Sequence, residues 1–489
     1  MPDEVVDDPA VARHRPPPAP GTSPEDRRAP VPVPVTGITP RTQSAQVATR
    51  VRRGRKAAAD RVLFVLGTGL GLSVALAVSD VHRATLALPG GYLNAVGRVT
   101  GLVGAYLLLV MVVLVSRLAP LERALGQDRL LRWHRRLAPW PMSLIVAHVV
   151  TTTLGYAQAA STGVWRQLWL LIDGLPNMLA AVAGFALLVL AMVTSWRVAR
   201  RHLKYETWWA LHLYFYLGLA LSFAHEVTVG ADFTGHPAAR WWWTGAWAAT
   251  LGAVAFYRLL VPVWRTLQHR LRVVDVYDEG PGVISVVVQG RHVERLQVDG
   301  GQFLQWRFLR RGLWWQAHPY SLSAMPQPPH LRITVKALGD HSADLPRIRP
   351  GTLVAIEGPY GTFTKHARSS DRVALVGAGV GVTPLRALVE DLPTGVDVVA
   401  LLRASNHHDV VLAREMKALL ESRRGHFWAL VGSRSDVKFD APTLERMVPD
   451  LEHRDVFVCG PHGFTRQVVK ASRALGVDRD RIHVEDFVT

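Results

Sequence analysis

The sequence predicts a membrane bundle of six α-helices, followed by an antiparallel β-barrel and then an α/β domain. Six apolar runs occupy the first half of the chain, each close to the roughly 20 residues that a helix needs to cross a bilayer. Beyond Arg265, short strands separated by Gly and Pro turns indicate a small barrel. From Arg372 onwards, a strand, a glycine loop, a helix and a further strand indicate a parallel α/β arrangement. The chain thus divides into a tail, a membrane domain, a barrel and an α/β domain at 1–57, 58–266, 267–367 and 368–489.

The composition supports a membrane portion and excludes several other classes. A hydrophobic fraction of 49% with a charged fraction of 19% is apolar for a soluble protein. The net charge of +17 comes from arginines that flank apolar segments, so it indicates membrane topology and not nucleic-acid binding. The single cysteine, Cys459, excludes a disulfide framework, a cysteine-ligated zinc site and a cysteine-ligated iron–sulfur cluster.

The loops between the apolar runs predict the orientation. The runs lie at 62–79, 97–116, 137–157, 177–196, 205–226 and 241–264. Arginines are concentrated in the link between the second and third runs and in the link between the fourth and fifth, whereas the opposite links are poor in them. Because basic loops stay on the cytoplasmic side, we expect a multi-pass protein of the plasma membrane with both termini cytoplasmic. The tail is rich in Pro and charge and is predicted to be disordered.

Two pairs of histidines lie in apolar segments, His134 with His148 and His212 with His225. Ionisable residues at membrane depth are costly and usually mark a function. Each pair spans roughly 20 Å of helix, which predicts two stacked ligand sites shared by two parallel helices. Neutral imidazoles on both faces of a haem iron are the obvious use, with His134 and His212 forming the inner site and His148 and His225 the outer one. The alternative is polar packing inside a helix bundle.

A second candidate site lies in the predicted barrel, at His318-Pro319-Tyr320-Ser321. A flavin needs an aromatic side chain against its ring and a hydroxyl at its reactive edge, which Tyr320 and Ser321 can supply. A buried Tyr–Ser pair is also common in barrels without any ligand. Residues that could help hold the pyrophosphate follow at Lys336, Gly339 and Ser342. The predicted strands of the barrel are Leu271–Tyr277, Val283–Val288, Phe303–Phe308, Leu331–Val335 and Leu353–Glu357.

A glycine loop opens the α/β domain directly after the strand at 373–376. A tight turn from strand to helix brings backbone amides close to a dinucleotide pyrophosphate at the helix N-terminus. A glycine pattern of this kind is weak when it stands alone, but here it has the required strand–loop–helix context. The candidate binding residues are Gly377, Gly379, Gly381, Thr383 and Pro384.

The ends of later strands indicate which nucleotide binds. The strand at 398–402 ends at Arg403, not at an acidic residue that would hold a ribose 2′-hydroxyl. Ser433 and Arg434 follow the next strand, and a hydroxyl with a guanidinium suits a 2′-phosphate. These residues favour NADPH over NADH.

Two further segments suit hydride transfer. The small residues of Cys459-Gly460-Pro461 follow another strand and would let a flat nicotinamide approach closely. The alternative is a buried cysteine before a loop. Phe487 lies close to the chain end, and an aromatic ring there can cover the flavin until nicotinamide displaces it.

Taken together, these residues resemble the ferric reductase and NADPH oxidase superfamily over residues 60–489. The soluble half is similar to ferredoxin–NADP reductases, in which an arginine often stands in the place of His318. The resemblance implies two b-type haems at the four histidines, FAD in the barrel and NADPH in the α/β domain. Val488 and Thr489 extend past the aromatic residue that often ends such chains.

The resemblance implies transmembrane electron transfer from cytoplasmic NADPH to an acceptor on the outer face, with Cys459, Ser321 and Phe487 at the hydride-transfer site. The expected acceptor is a small molecule, a ferric chelate before oxygen, which would give superoxide. The sequence leaves two other classes of protein open: a membrane cytochrome subunit that serves a partner protein, and a transporter with a degenerate reductase domain. The sequence does not predict an oligomeric state.

Overall fold

The first half of the chain is helical, as the apolar runs predict. The computed structural model describes residues 40–79, 81–230, 233, 236–433 and 436–487. The helices of this half are α1 (Pro40–Ser79), α2 (Arg83–Ala87), α3 (Gly91–Val115), α4 (Ala119–Leu125), α5 (Gln127–Leu137), α6 (Pro139–Ala159), α7 (Val164–Gly174), α8 (Met178–Ser195), α9 (Arg197–His202), α10 (Tyr205–Val229), α11 (Pro237–Ala255) and α12 (Val261–His269). A π-helical turn at Phe256–Leu260 joins the last two.

Five helices in the described part of the chain are long and apolar enough to cross a membrane. These candidate spans are Ala57–Ser79, Gly91–Val115, Arg129–Ala159, Met178–Ser195 and Pro237–His269. The predicted fifth run forms α10, a helix of 25 residues whose histidines and glutamates lower its mean hydropathy. The first helix begins at Pro40, so residues 40–57 are helical and the predicted tail ends earlier than expected. Residues 1–39 of that tail lie outside the described residues.

Close helix crossings depend on glycines. Gly97 and Gly101 of α3 form a Gly-x-x-x-Gly pair against α6, and a Cβ at Gly101 would lie 2.6 Å from the His148 ring. A second crossing joins α8 to α10, where a Cβ at Gly184 would lie 2.6 Å from the carbonyl oxygen of Gly218. The absence of a side chain at these positions lets the histidine-bearing helices pack close to their neighbours.

The helix that carries the first histidine pair is interrupted. His134 lies in α5 and His148 in α6, and the two helices meet at Ala138. Pro139 lacks the backbone N–H that would continue the ladder from α5 into α6, which explains the break. The second pair lies on one helix, α10, which continues through Gly218. Ala138 keeps helical dihedral angles, so α5 and α6 together form the candidate span Arg129–Ala159, which carries both histidines.

The first soluble domain is an antiparallel sheet of six strands in the order β4-β3-β6-β1-β2-β5. Its strands are β1 (Leu271–Gly280), β2 (Val283–Gln289), β3 (Phe303–Phe308), β4 (His318–Ser321), β5 (His330–Lys336) and β6 (Leu353–Tyr360). All five predicted strands are present. One isolated bridge, Leu322 with Ile333, connects the two edges of the sheet, so full closure into a barrel stays a prediction. A short helix, α13 (Asp340–Asp344), follows β5.

The second soluble domain is a parallel sheet of five strands in the order β11-β10-β7-β8-β9. Its strands are β7 (Arg372–Ala378), β8 (Asp397–Ala404), β9 (His426–Val431), β10 (Asp455–Pro461) and β11 (Ile482–Phe487). Its helices are α14 (Val382–Asp391), α15 (Ala413–Ser422), α16 (Ala441–Met447) and α17 (His462–Ala474). The carboxyl ends of β7, β8 and β10 lie side by side, which brings the predicted nucleotide-binding residues to one edge.

The membrane helices and the antiparallel sheet meet at a cluster of charged residues. Arg117, between α3 and α4, forms an ion pair of 3.0 Å with Glu357 of β6, and both side chains are largely buried. Its guanidinium carbon also lies 5.1 Å from the centre of the Tyr360 ring. Glu122 of α4 is buried beside this cluster. Burial raises the pKa of Glu122 to about 7, against the opposing effect of Arg117.

The shifted pKa of Glu122 predicts how the stability of the protein depends on pH. The folded protein keeps the proton of Glu122 up to about pH 7, whereas an unfolded glutamate releases it near about pH 4.3. Since the folded state then binds more protons, the stability should fall as the pH rises between these values, by on the order of 3 kcal/mol. Glu122→Gln should flatten this dependence in thermal unfolding. The exposed Glu421→Gln variant should keep the parent profile, and an unchanged Glu122→Gln profile would contradict the assignment.

Candidate functional site

The inner histidine pair has a separation that suits two ligands of one metal. The ring centroids of His134 and His212 are 6.4 Å apart, and the ring planes cross at 79°. An imidazole nitrogen binds a transition metal at about 2.0 Å, so two imidazoles on opposite faces of one metal have centroids about 6 Å apart. Among the described residues, no group of three or more His, Cys, Asp or Glu side chains could hold a metal ion. The candidate ligands therefore come as pairs.

Hydrogen bonds orient three of the four imidazoles. His134 Nδ1 lies 3.2 Å from the carbonyl oxygen of Met111, and His148 Nδ1 lies 2.7 Å from that of Gly97. A carbonyl oxygen can only accept, so Nδ1 of each ring carries the proton. The lone pair is then on Nε2, which is the arrangement that a metal-binding imidazole requires.

The third imidazole is oriented by a serine. Ser195 Oγ donates its only proton to the carbonyl oxygen of Ala191 at 2.7 Å, so it must accept from His212 Nδ1 at 3.1 Å. The indole of Trp208 donates to the same oxygen at 3.2 Å, and its ring stacks on His212 with centroids 5.3 Å apart. The lone pair of His212 therefore also lies on Nε2.

The predicted outer pair consists of His148 in α6 and His225 in α10. His225 Nδ1 is buried and has no hydrogen-bond partner among the described residues. A buried polar atom without a partner is costly unless a ligand or water satisfies the ring. The residues at both pairs thus fit the haem that the sequence predicts.

Sequence reasoning missed several residues around the histidines. Ser195 and Trp208 gave no signal, because only the folded helices bring them to His212. Glu226 follows His225 in α10, where it accepts hydrogen bonds from the indoles of Trp243 at 2.8 Å and Trp247 at 3.2 Å. Glu226 could have been found from the sequence, because an acidic residue within an apolar run usually marks a function. Trp243 itself is fully buried.

The proposed flavin segment forms β4 at the edge of the antiparallel sheet. Pro319 is exposed, Tyr320 is half-buried, and Ser321 is buried. The backbone oxygen of Tyr320 accepts a hydrogen bond from the indole of Trp306 at 3.0 Å. The phenol ring of Tyr320 lies nearly parallel to the imidazole ring of His318. Burial raises the pKa of Tyr320 and lowers the pKa of His318. His318 is then a neutral imidazole, which can contribute a hydrogen bond to a pyrophosphate but not a full charge.

The predicted pyrophosphate residues follow in the next turn. Lys336 ends β5, and Gly339 precedes α13. Ser342 Oγ accepts from the backbone amides of Leu338 at 3.0 Å and Gly339 at 3.1 Å. This hydroxyl therefore stabilises its own turn, and the amides that it engages are not open to a phosphate. Lys336 is half-buried at the end of this sheet.

An ion-pair network joins the two soluble domains next to these segments. Arg332 of β5 donates to both carboxylate oxygens of Glu415 in α15, at 2.8 and 2.7 Å. Arg386 of α14 also contacts Glu415 at 2.8 Å and pairs with Glu390. The hydrogen bonds from Arg332 hold the pKa of Glu415 below its ordinary value. The network thus connects β5 of the antiparallel sheet to α14 and α15 of the parallel α/β domain.

The glycine loop lies against the cysteine segment. Gly379 has a φ of +55°, a left-handed conformation that favours glycine. A Cβ at Gly381 would lie 2.4 Å from the carbonyl oxygen of Cys459, so only glycine allows this approach. Thr383 Oγ1 donates to the carbonyl oxygen of Val380 at 2.9 Å and secures the first turn of α14. Gly377 and Pro384 are buried on either side of the loop.

Cys459 is fully buried at the end of β10, opposite Gly377 of β7 and Glu485 of β11. Burial raises the pKa of the Cys459 thiol well above its ordinary value, and the nearby Glu485 and Asp486 carboxylates act in the same direction. The thiol is therefore neutral and is not a nucleophile. Gly460, with a φ of +157°, and the exposed Pro461 follow it.

The last strand is anchored beside this cysteine segment. Asp486 interacts with His462 Nδ1 at 3.1 Å and accepts a hydrogen bond from Thr465. These two residues of α17 carried no signal in the sequence. Phe487 pairs with Pro461 through the backbone of β11, and its side chain lies outside the described residues.

Two of the residues predicted to select the nucleotide, Arg403 and Ser433, are described by the structure and lie near the carboxyl ends of β8 and β9. Arg403 is the last residue but one of β8 and pairs with Ala378 of β7, and its guanidinium lies 3.4 Å from the carbonyl oxygen of Gly432. Ser433 follows directly and donates to Asp436 at 2.6 Å. This carboxylate was missed from the sequence. Arg434 lies outside the described residues.

Comparisons with known proteins agree with this architecture. Residues 100–223 match the family described as ferric reductase like transmembrane component. An NADPH oxidoreductase of Mycobacterium tuberculosis is 27% identical over 243 residues, which cover 47% of this chain and 63% of that protein. A flavohemoprotein of Vibrio cholerae is 32% identical over 183 residues, which cover 34% of this chain and 45% of that protein. The FAD/NAD binding domain of the nitric oxide dioxygenase from Vibrio cholerae is 26% identical, with a TM-score of 0.40, over 45% of this chain and 99% of that structure.

The fold and the comparisons define a multi-pass membrane protein whose helical domain is followed by a soluble module similar to flavin- and nicotinamide-dependent reductases. A ferric reductase-like membrane domain is fused to a ferredoxin reductase-like module, an arrangement that resembles the ferric reductase and NADPH oxidase superfamily. The resemblance predicted from the sequence is thus confirmed. The chain spans less than two thirds of the length of the two curated relatives named above.

The contact between Gly381 and Cys459 predicts the effect of one added methyl group. Gly381→Ala should force the glycine loop away from β10, because its Cβ would collide with backbone atoms. We expect a loss of about 1–3 kcal/mol in the free energy of unfolding, together with weaker nucleotide binding. Gly395→Ala is the matched control, since a Cβ there meets nothing within 4 Å. Thermal unfolding and nucleotide titration measure both effects, and parent-like behaviour of Gly381→Ala would exclude the close approach.

Proposed function

We propose that the protein carries electrons from cytoplasmic NADPH across the membrane to a small acceptor on the outer face, with FAD and two b-type haems as cofactors. A flavin accepts a hydride and releases its electrons singly to haem iron, which takes one electron at a time. His134 and His212 would hold the inner haem, and His148 and His225 the outer one. The observation that carries the proposal is the separation of 6.4 Å between His134 and His212 in a membrane domain on which a flavin-type module packs.

Aromatic side chains support a route between the flavin segment and the inner pair. Trp315 lies shortly before β4, and its ring centroid is 6.2 Å from that of Trp209 in α10. The neighbouring Trp208 stacks on His212. These contacts form a chain of aromatic rings from Trp315, three residues before β4, towards His212 of the inner pair.

Residues at the carboxyl ends of β8 and β9 support NADPH as the electron donor. Arg403 supplies positive charge near the carboxyl end of β8, and Arg434, which follows β9 in the sequence, would add a second guanidinium for a 2′-phosphate. Asp436 opposes this preference, because it engages Ser433. Cys459, Gly460 and Pro461 would leave room for the nicotinamide, with Ser321 and Phe487 at the flavin.

The acceptor is proposed to be a ferric chelate. Two histidines on each haem leave no open coordination position, so transfer to the acceptor would occur at the haem edge. Oxygen could react in the same way and would yield superoxide, which makes an NADPH oxidase the second candidate. A membrane cytochrome subunit that serves a partner protein is the third. The proposed topology has six spans, with α10 as the fifth, in the plasma membrane with both termini cytoplasmic.

The haem assignment predicts the effect of removing one outer ligand. His148→Leu should lower the haem content from two per chain to one, because a single imidazole at that position no longer holds the outer haem. NADPH-dependent dye reduction by the flavin module should persist. Haem and flavin absorbance of the purified protein measure both quantities. His82→Leu, at an exposed histidine, is the control, and full retention of two haems in His148→Leu would refute the pairing.

The acceptor can be identified with sealed vesicles that expose the reductase module. NADPH is added outside, and a ferric chelate is trapped inside with a chromogenic ferrous chelator. We expect rapid reduction of the trapped iron without oxygen, and no reduction in His148→Leu vesicles. Vigorous superoxide production in air with negligible anaerobic iron reduction would favour the oxidase. Failure with both acceptors in haem-loaded vesicles would contradict both candidates.

A further inference from the structure

Two neighbouring cavities are both lined by Arg136. One lies among the membrane helices, and the other lies between these helices and the two soluble domains, residues 271–487, called here the reductase module. The first, the apolar groove, has a volume of about 450 Å³ between α1, α3 and the junction of α5 with α6. Its lining includes Leu63, Leu66, Gly67, Tyr106, Trp133 and Trp140. Leu63 and Trp140 are exposed, so the groove opens towards the side of the helices where lipid would lie.

The second, the basic cavity, has a volume of about 620 Å³. One wall is α5, with Arg129, Arg132 and Arg136, and the opposite wall belongs to the reductase module. That wall contains Arg479 and a single acidic residue, Glu485. The basic cavity thus carries a clear excess of positive charge.

The guanidinium groups of these arginines have no partner among the residues that the structure describes. In the described ranges, no hydrogen bond or ion pair engages the side chain of Arg129, Arg132, Arg136 or Arg479. Unpaired arginines around one cavity repel each other, and a bound anion relieves that repulsion. An anion that also fills the adjoining apolar groove needs a hydrocarbon tail.

We propose that the two cavities form one site for an anionic phospholipid, with an acyl chain in the apolar groove and the phosphate headgroup in the basic cavity. Basic pockets next to membrane helices on the cytoplasmic side recognise such headgroups through charge. Trp133 and Trp140 suit the boundary between headgroup and chain, where indole rings are favoured. A free phosphate or a soluble nucleotide would leave the apolar groove empty.

The position of the site gives the lipid a structural consequence. The headgroup contacts α5, which carries His134, and also Thr362 after β6 and Val484 in the last strand. The lipid therefore bridges the membrane domain and the reductase module. It adds attraction to the docking that Arg117 and Glu357 provide.

The headgroup half of the site can be tested on the full-length protein by native mass spectrometry. The protein is equilibrated with phosphatidylglycerol or phosphatidylcholine, and the retained lipid is counted. We expect the parent to retain phosphatidylglycerol, and the double variant Arg132→Ala/Arg136→Ala to retain at least tenfold less of it. The matched control is Arg197→Ala/Arg201→Ala, which removes the same charge from exposed positions of α9 and should behave as the parent.

The apolar groove, which would hold the acyl chain of the lipid, is tested with a variant that removes no charge. Gly67→Leu should fill the apolar groove and reduce the retention of phosphatidylglycerol. Gly71→Leu in the same helix is the control, because a Cβ meets nothing within 4 Å at either glycine and Gly71 does not line the groove. This pair keeps the proposal testable if the arginine variant does not fold.

Four outcomes would overturn the proposal. Equal retention of phosphatidylglycerol by parent, arginine variant and Gly67→Leu would exclude the site. An equal loss in the α9 control would indicate general surface attraction. Displacement of the lipid by millimolar inorganic phosphate would indicate a simple anion site. Loss of FAD from the arginine variant would assign the basic cavity to the flavin.

Discussion

The need to satisfy imidazoles inside an apolar helix bundle organises the membrane domain. A buried ring must place its Nδ1 proton on a nearby acceptor, and few acceptors exist between apolar helices. Met111 and Gly97 of α3 supply backbone oxygens, which requires α3 to lie very close to the histidine-bearing helices. The glycines of α3 make this approach possible, since any side chain at Gly101 would collide with His148. The orientation of the candidate ligands thus depends on the packing of α3.

The same arrangement explains why the reductase module lies next to the inner pair. Tryptophans at the start of α10 face both His212 and the flavin segment. The buried ion pair between Arg117 and Glu357 provides a specific contact at the same junction. A charge pair in a low-dielectric contact disfavours other docking orientations, because a shifted module would leave one charge unpaired. The ion pair and the tryptophan contacts therefore both join the membrane helices to the antiparallel sheet domain.

Much of the fold could be predicted from the sequence, because its signals are local. Apolar runs of bilayer length, alternating strands and a glycine loop after a strand each depend on neighbouring residues. The five predicted strands of the antiparallel sheet are present, and the α/β domain follows at the expected position. Local patterns did not predict the junction between α5 and α6. Pro139 removes one backbone hydrogen bond there, although Ala138 keeps helical dihedral angles and both histidines belong to the candidate span Arg129–Ala159.

The sequence by itself determined the domain order, the family and the identity of the candidate ligands, since residue types and spacing carry this information. Only the tertiary structure decided how these residues are supported. Ser195 lies against His212, Asp436 against Ser433, and Gly381 against Cys459, and each contact joins segments with separate local patterns. The two cavities that share Arg136 also arise only when α1, α5 and β11 come together. Contacts between distant segments depend on packing, which no local pattern encodes.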